Sequence, residues 1–241
     1  MENKNWALPA SIIVAGLIIA GTVYYTNTNT KKPSDNLAAT GDVTSGQKLD
    51  GPKEVTSSDH ILGNPNADLT FILFTDLECP FCKTFNATAN QMMDEYGKAG
   101  KMRFVLRHFP LDSLHQKSRK EAEATECAAD LGGNDKFWTY VNRLFEVTTS
   151  NDTLDPTQLP KIAEYVGLDV NKFNDCLSSG KFAAKVQTDY EDAVASGARG
   201  TPYSVILTKN GDKYPVSGAL PYAQLKVIID QILNGTYTTG K

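Results

Sequence analysis

The chain has 241 residues, with 28 acidic and 24 basic side chains and a formal charge of −4. That length suits one or two domains. The acidic balance and the lack of any Lys/Arg cluster leave no electrostatic footprint for nucleic acid and exclude it as a partner.

Residues 1–25 contain the first element. Trp6 to Tyr25 carries no charged side chain and holds Leu8, Ile12, Ile13, Val14, Leu17, Ile18, Ile19 and Val23. Twenty helical residues reach about 30 Å, the thickness of a bilayer core. Trp6 and Tyr24-Tyr25 sit where interfacial aromatics anchor a span. The reading is a single N-terminal transmembrane signal-anchor. A cleaved secretory signal competes through the small residues Ala20-Gly21-Thr22, but a clear A-x-A site is lacking. Lys4 on one side and Lys31-Lys32 on the other leave the charge bias uninformative. Residues 26–58 are Thr, Asn, Lys, Ser, Asp and Gly with few large apolar side chains, which predicts a disordered linker.

The folded part is expected from Asp59. Leu69-Thr70-Phe71-Ile72-Leu73-Phe74 reads as a buried strand, and Cys79-Pro80-Phe81-Cys82 follows it directly. Phe85, Ala89, Met92, Met93 and Tyr96 then recur with helical period. After the Gly97 and Gly100 turn, residues 102–107 read as a second central strand. Helical periodicity spans 114–131, 136–145, 156–166, 170–178 and 182–196, broken by Gly132-Gly133, Asn151-Asp152, Gly167 and Gly180. Residues 203–208 and 213–216 read as strands joined by an Asn210-Gly211 turn, and 221–233 as an amphipathic helix. The order of strand, helix, strand, helical insertion, hairpin and helix predicts a mixed sheet flanked by helices.

A C-x-x-C between a strand and a helix places its first sulfur at the helix N-terminus, where unpaired N–H groups and the dipole favour an anion. The thiolate is the nucleophile, and the second cysteine, one turn on, can attack a mixed disulfide formed at the first. Pro80 fits a first turn, where its missing N–H costs nothing. A half zinc site or a structural bridge are the competing readings. Zinc needs two further ligands at matching spacing. Cys127 and Cys176 stand alone, and His60, His108 and His115 form no paired motif with them, so no metal is expected. No flavin or nicotinamide motif is visible either, so the cysteine pair is the whole expected redox equipment.

Asp76-Leu77-Glu78-Cys79-Pro80-Phe81-Cys82-Lys83, Arg107-His108-Phe109-Pro110-Leu111 and Gly200-Thr201-Pro202 together resemble the DsbA-like thiol-disulfide oxidoreductases of the thioredoxin superfamily, in particular their membrane-anchored bacterial branch. The resemblance covers about residues 60–235. It implies an α/β thioredoxin fold whose first half is 59–112, whose inserted helical domain is 113–196 and whose second half is 197–235, with a tail at 236–241. It makes Cys79 the exchanging thiol and Cys82 the resolving one, with Thr201-Pro202 a cis bond against the pair. The backbone at Arg199, Gly200 and Thr201 would pair with an extended substrate chain. The implied reaction is disulfide formation in reduced exported proteins, with a membrane partner re-oxidising the pair, by a monomer outside the cytosol, since disulfides belong in oxidising compartments. A reductase or isomerase of the same fold, and a non-catalytic tethered domain with structural disulfides, are the alternatives.

Two positions depart from the family pattern. Leu73 stands where many relatives carry a buried acid six residues before the first cysteine. For Asp76 and Glu78 two readings stand: a substitute proton acceptor acting through water, or solvated loop acids. Phe81 stands where well-known oxidases place histidine, so Cys79 is expected to owe its acidity mainly to the helix terminus. A structural Cys127–Cys176 bridge is expected from parity, compartment and relatives with a second bridge, two buried free thiols being the alternative. His108 and His115 read as rim or partly buried residues of the loop after the second strand, without a role. Phe137, Trp138, Tyr140 and Phe145 read as core.

Overall fold

A computed structural model describes residues 51–238. The span read as a signal-anchor, residues 26–50 of the linker and the last three residues lie outside that range. Among the described residues no helix is long and apolar enough to cross a membrane.

The strands are β1 (His60–Gly63), β2 (Leu69–Thr75), β3 (Met102–His108), β4 (Tyr203–Thr208) and β5 (Lys213–Ser217). They form one mixed sheet in the order β1-β3-β2-β4-β5. Central β2 runs parallel to β3, with Leu69 opposite Met102 and Thr75 opposite His108, and antiparallel to β4, with Phe74 opposite Tyr203. All seven residues of β2 are buried because both faces of the sheet are covered. Leu69, Phe71 and Leu73 enter one core, while Ile72 and Phe74 enter a second on the other face. This two-residue alternation is why the strand is apolar almost throughout.

The first core is covered by α1 (Pro80–Met92), through Phe85, Ala89 and Met92, and by α7 (Tyr222–Leu233), through Leu225, Ile229 and Ile232. The helical insertion joins it from α2 (Ser118–Gly132), α3 (Asn134–Val147), α4 (Gln158–Tyr165) and α5 (Val170–Ser179). The second core is closed by α6 (Ala183–Ala195), through Ala193 and Tyr190. Cys127 of α2 and Cys176 of α5 are joined by a disulfide, with their Cα atoms 5.9 Å apart.

Three features differ from the sequence reading. Strand β1 was not expected, and it pairs antiparallel with β3, His60 opposite Leu106. The helix expected from residue 114 begins at Ser118, because residues 112–117 form turns. Residues 51–58, read as linker, are fastened to the domain. The Arg107 guanidinium donates to the carbonyls of Lys53 (3.0 Å) and Glu54 (3.2 Å), and Lys53 N–H donates to Asp192 (2.8 Å). Val55 packs against the second core.

Candidate active site

β2 ends at Thr75, and five residues later α1 starts at Pro80 with Cys79 as its N-cap. A short side chain normally accepts from the open N–H groups of a first turn. Here no side-chain cap hydrogen bond forms and the Cys79 sulfur occupies that place. Its thiol is lowered to about 6. The largest cause is the Cys82 thiol donating to it; burial opposes, and the Thr201 side chain and the N–H groups of Cys82 and Phe81 add to the lowering. The helix terminus therefore acts behind the Cys82 thiol, not ahead of it as the sequence suggested.

Cys82 is held well above the ordinary thiol range, first by burial and then by the neighbouring Cys79. Both cysteines are free. The pair is therefore asymmetric, with a ready thiolate at the helix end and a protonated thiol behind it. The Thr201-Pro202 bond is cis, and the Thr201 carbonyl lies 3.5 Å from Cys79 Sγ, accepting from the thiol form. Gly200 adjoins this loop. Pro80 occupies the first turn of α1, and Phe81 is 65% exposed beside Cys79, offering no hydrogen-bond donor to it from its side chain.

The acids before Cys79 are the chief correction to the sequence reading. Asp76 and Glu78 are 0% exposed and not solvated loop acids. Asp76 accepts from the N–H of Glu78 (2.8 Å) and of Leu111 (2.7 Å), which ties the β2–α1 turn to the chain after β3. Its carbonyl accepts from Cys79 N–H at 3.2 Å. Glu78 accepts from the Thr148 hydroxyl at 3.2 Å. Glu121 of α2 faces Glu78. Burial, then this neighbour, push Glu121 well above the usual carboxylate range, so it is a neutral acid at neutral pH. Oε2 of each carboxyl is buried without a hydrogen-bond partner.

The histidines also depart from expectation. His108 is the last residue of β3 and is buried. Its Nε2 lies 3.0 Å from Glu126, whose other oxygen is 2.9 Å from His60 Nε2. Asp189 comes close to His108 and Glu126 but is chelated by Lys185 at 2.6 and 2.7 Å. Protein groups therefore occupy His108 Nε2, both Glu126 oxygens and both Asp189 oxygens, while His108 Nδ1 has no hydrogen-bond partner. His115 is buried too, with Nδ1 3.0 Å from Asp76 Oδ2. Burial disfavours its charge, but the contact with Asp76 and the charges of Asp76, Cys79 and Asp152 outweigh it and raise its pKa.

The sequence pattern of the family described as Thioredoxin matches residues 55–231, and the chain belongs to that family. Within it the chain is a DsbA-like enzyme, a thiol-disulfide oxidoreductase. Among solved structures, Pseudomonas aeruginosa DsbA2 is 25% identical with a TM-score of 0.61, covering 75% of this chain and 97% of that one. Bacillus subtilis BdbD in its oxidised form shares the fold at 22% identity and a TM-score of 0.64, covering 74% of this chain and 94% of that one. Among curated proteins, the Na(+)/H(+) antiporter NhaA 1 of Mycolicibacterium gilvum is 33% identical over 158 residues, which is 65% of this chain and 24% of the antiporter. NhaA 3 of Salinispora tropica is 31% identical over 144 residues, 60% of this chain and 21% of the antiporter. The chain spans about a quarter of the length of such relatives.

Proposed function

We propose that this enzyme forms disulfides in reduced exported proteins, as a monomer held by its N-terminal segment at the extracytoplasmic side of a membrane. In the oxidised enzyme a substrate thiolate attacks Cys79 Sγ. The Cys79–Cys82 bond breaks, and the Cys82 sulfur leaves as a thiolate and takes up a proton. A second substrate thiolate then attacks the substrate sulfur of the mixed disulfide, forming the substrate disulfide and releasing Cys79 as a thiolate. The substrate loses two electrons and the pair gains them. A membrane partner able to accept two electrons, such as a quinone-linked disulfide donor, restores the pair.

The observation that carries this reading is the asymmetry of the two thiols. Cys79 lies well below, and Cys82 well above, the ordinary thiol value of 9.0. A stabilised Cys79 thiolate favours the reduced enzyme and so makes the disulfide a good oxidant. The Thr201 loop beside Cys79 offers backbone against which an extended substrate chain can lie.

Replacing Cys82 by Ser removes the resolving thiol, so the Cys79 thiolate of Cys82→Ser enzyme should attack a disulfide of an unfolded, disulfide-containing protein, release one substrate thiolate and stay trapped as the mixed disulfide, and Cys79→Ser enzyme should form none. The oxidised wild type should restore activity to a reduced, disulfide-dependent protein. Reduction of insulin without that oxidase activity would turn the reading to a reductase, and neither activity would leave a non-catalytic tethered domain.

A further inference from the structure

Within Cys79-Pro80-Phe81-Cys82 there is no cation, and the exposed Phe81 ring supplies none. Lys83, next along the helix, is turned away to the carbonyl of Thr148. The loop after β3 brings in a different group. The main-chain N–H of His115 donates to the Leu111 carbonyl (2.8 Å), and its Nδ1 lies 3.0 Å from Asp76 Oδ2 as an ion-pair contact. Asp76 is in turn fixed to the turn that ends at Cys79 by the main-chain bonds given above.

We propose that His115, clamped by Asp76, is the positioning residue that presents a positive charge to the Cys79 thiolate, in the role a histidine inside the C-x-x-C would otherwise fill. This rests on the exchange chemistry assigned to Cys79 above. Asp76 of the β2–α1 turn lies against His115 at 3.0 Å, and the charges of Asp76, of Cys79 at the start of α1 and of Asp152 in the α3–α4 loop all favour its protonated form. Lys117, the next cation along the chain, is occupied by the carbonyls of Asp152 (2.6 Å) and Leu154 (2.9 Å). Asp76 keeps its two main-chain donors when the imidazole is removed. Loss of His115 alone thus leaves a buried anion beside the cysteines with no cation opposite, which disfavours a second anion at Cys79.

The test is ultraviolet titration of the thiolate in the reduced full-length protein. The wild-type midpoint is expected at about 6. His115→Gln should raise it by about one unit, a roughly tenfold loss of thiolate on the acid side of the midpoint. The double variant Asp76→Asn/His115→Gln should recover part of the rise, and adding Phe81→His to His115→Gln should restore the low midpoint. An unchanged midpoint in His115→Gln overturns the proposal. A measurement without substitution guards against misfolding: the His115 imidazole, followed by NMR, should titrate higher in the reduced than in the oxidised protein, and equal values overturn the proposal. Neither readout uses a substrate, so failure of disulfide formation in exported proteins leaves this result standing, and the reverse holds too.

Discussion

Cys79 is a single atom placed by its neighbours, and its chemistry sets a pH dependence that is easy to check. Its pKa is lowered in the fold, so folding of the reduced enzyme gains stability above the ordinary thiol value of 9.0, and that gain is lost as pH falls through about 6. The oxidised enzyme has no such thiol to titrate. The melting temperature of the reduced form should therefore fall relative to that of the oxidised form between about pH 9 and pH 6. Scanning calorimetry of both forms across that range checks this, and a constant difference would contradict the thiolate assignment. The cysteines themselves were legible because strand, C-x-x-C and helical period lie consecutively in the chain. Asp76, Glu78 and His115 were not. Acids in a turn read as solvated, and what buries them comes from residues 35 to 70 positions away, such as Leu111 and Thr148.

Among the elements, β2 and β3 were legible because an apolar run covered on both faces has few other places to go. β1 was not, since four residues without alternation carry no period, and it becomes a strand only by completing the edge of β3. The insertion was legible as helices from its period, and its bracing by Cys127–Cys176, expected from parity, compartment and the family resemblance, is present. That bond closes a loop across a sequence separation of 49 and joins α2 to α5. In the chain-entropy view such a closure contributes about 4 kcal/mol at most. Cys127→Ala/Cys176→Ala enzyme should unfold at lower denaturant by up to that amount, while its Cys79 titration stays where it was. A matching shift in Cys79 would mean that the brace shapes the active site as well.

Across the whole molecule, Arg107 is the joint between sheet, helix and the chain before β1. It is buried between Asp59 (2.8 Å) and Asp192 (2.6 Å). Burial works against its charge, but the two carboxylates raise its pKa further. Arg107→Leu leaves both anions without a cation, and removing one partner of a buried pair costs about 3–5 kcal/mol. Chemical denaturation should show that loss, and limited proteolysis should cut within residues 51–58 of the variant but not of the wild type. Equal resistance would mean that the segment is held by other contacts, such as Val55.

Arg107 and Val105 face the second core, whereas Cys79 and Cys82 belong to the first, across the sheet. A pull on the chain at residue 51 is thus borne by the Arg107–Asp192 joint on one side of the sheet. The sulfurs lie on the other side, away from that load, so tension on the chain at residue 51 leaves the Cys79–Cys82 geometry undisturbed.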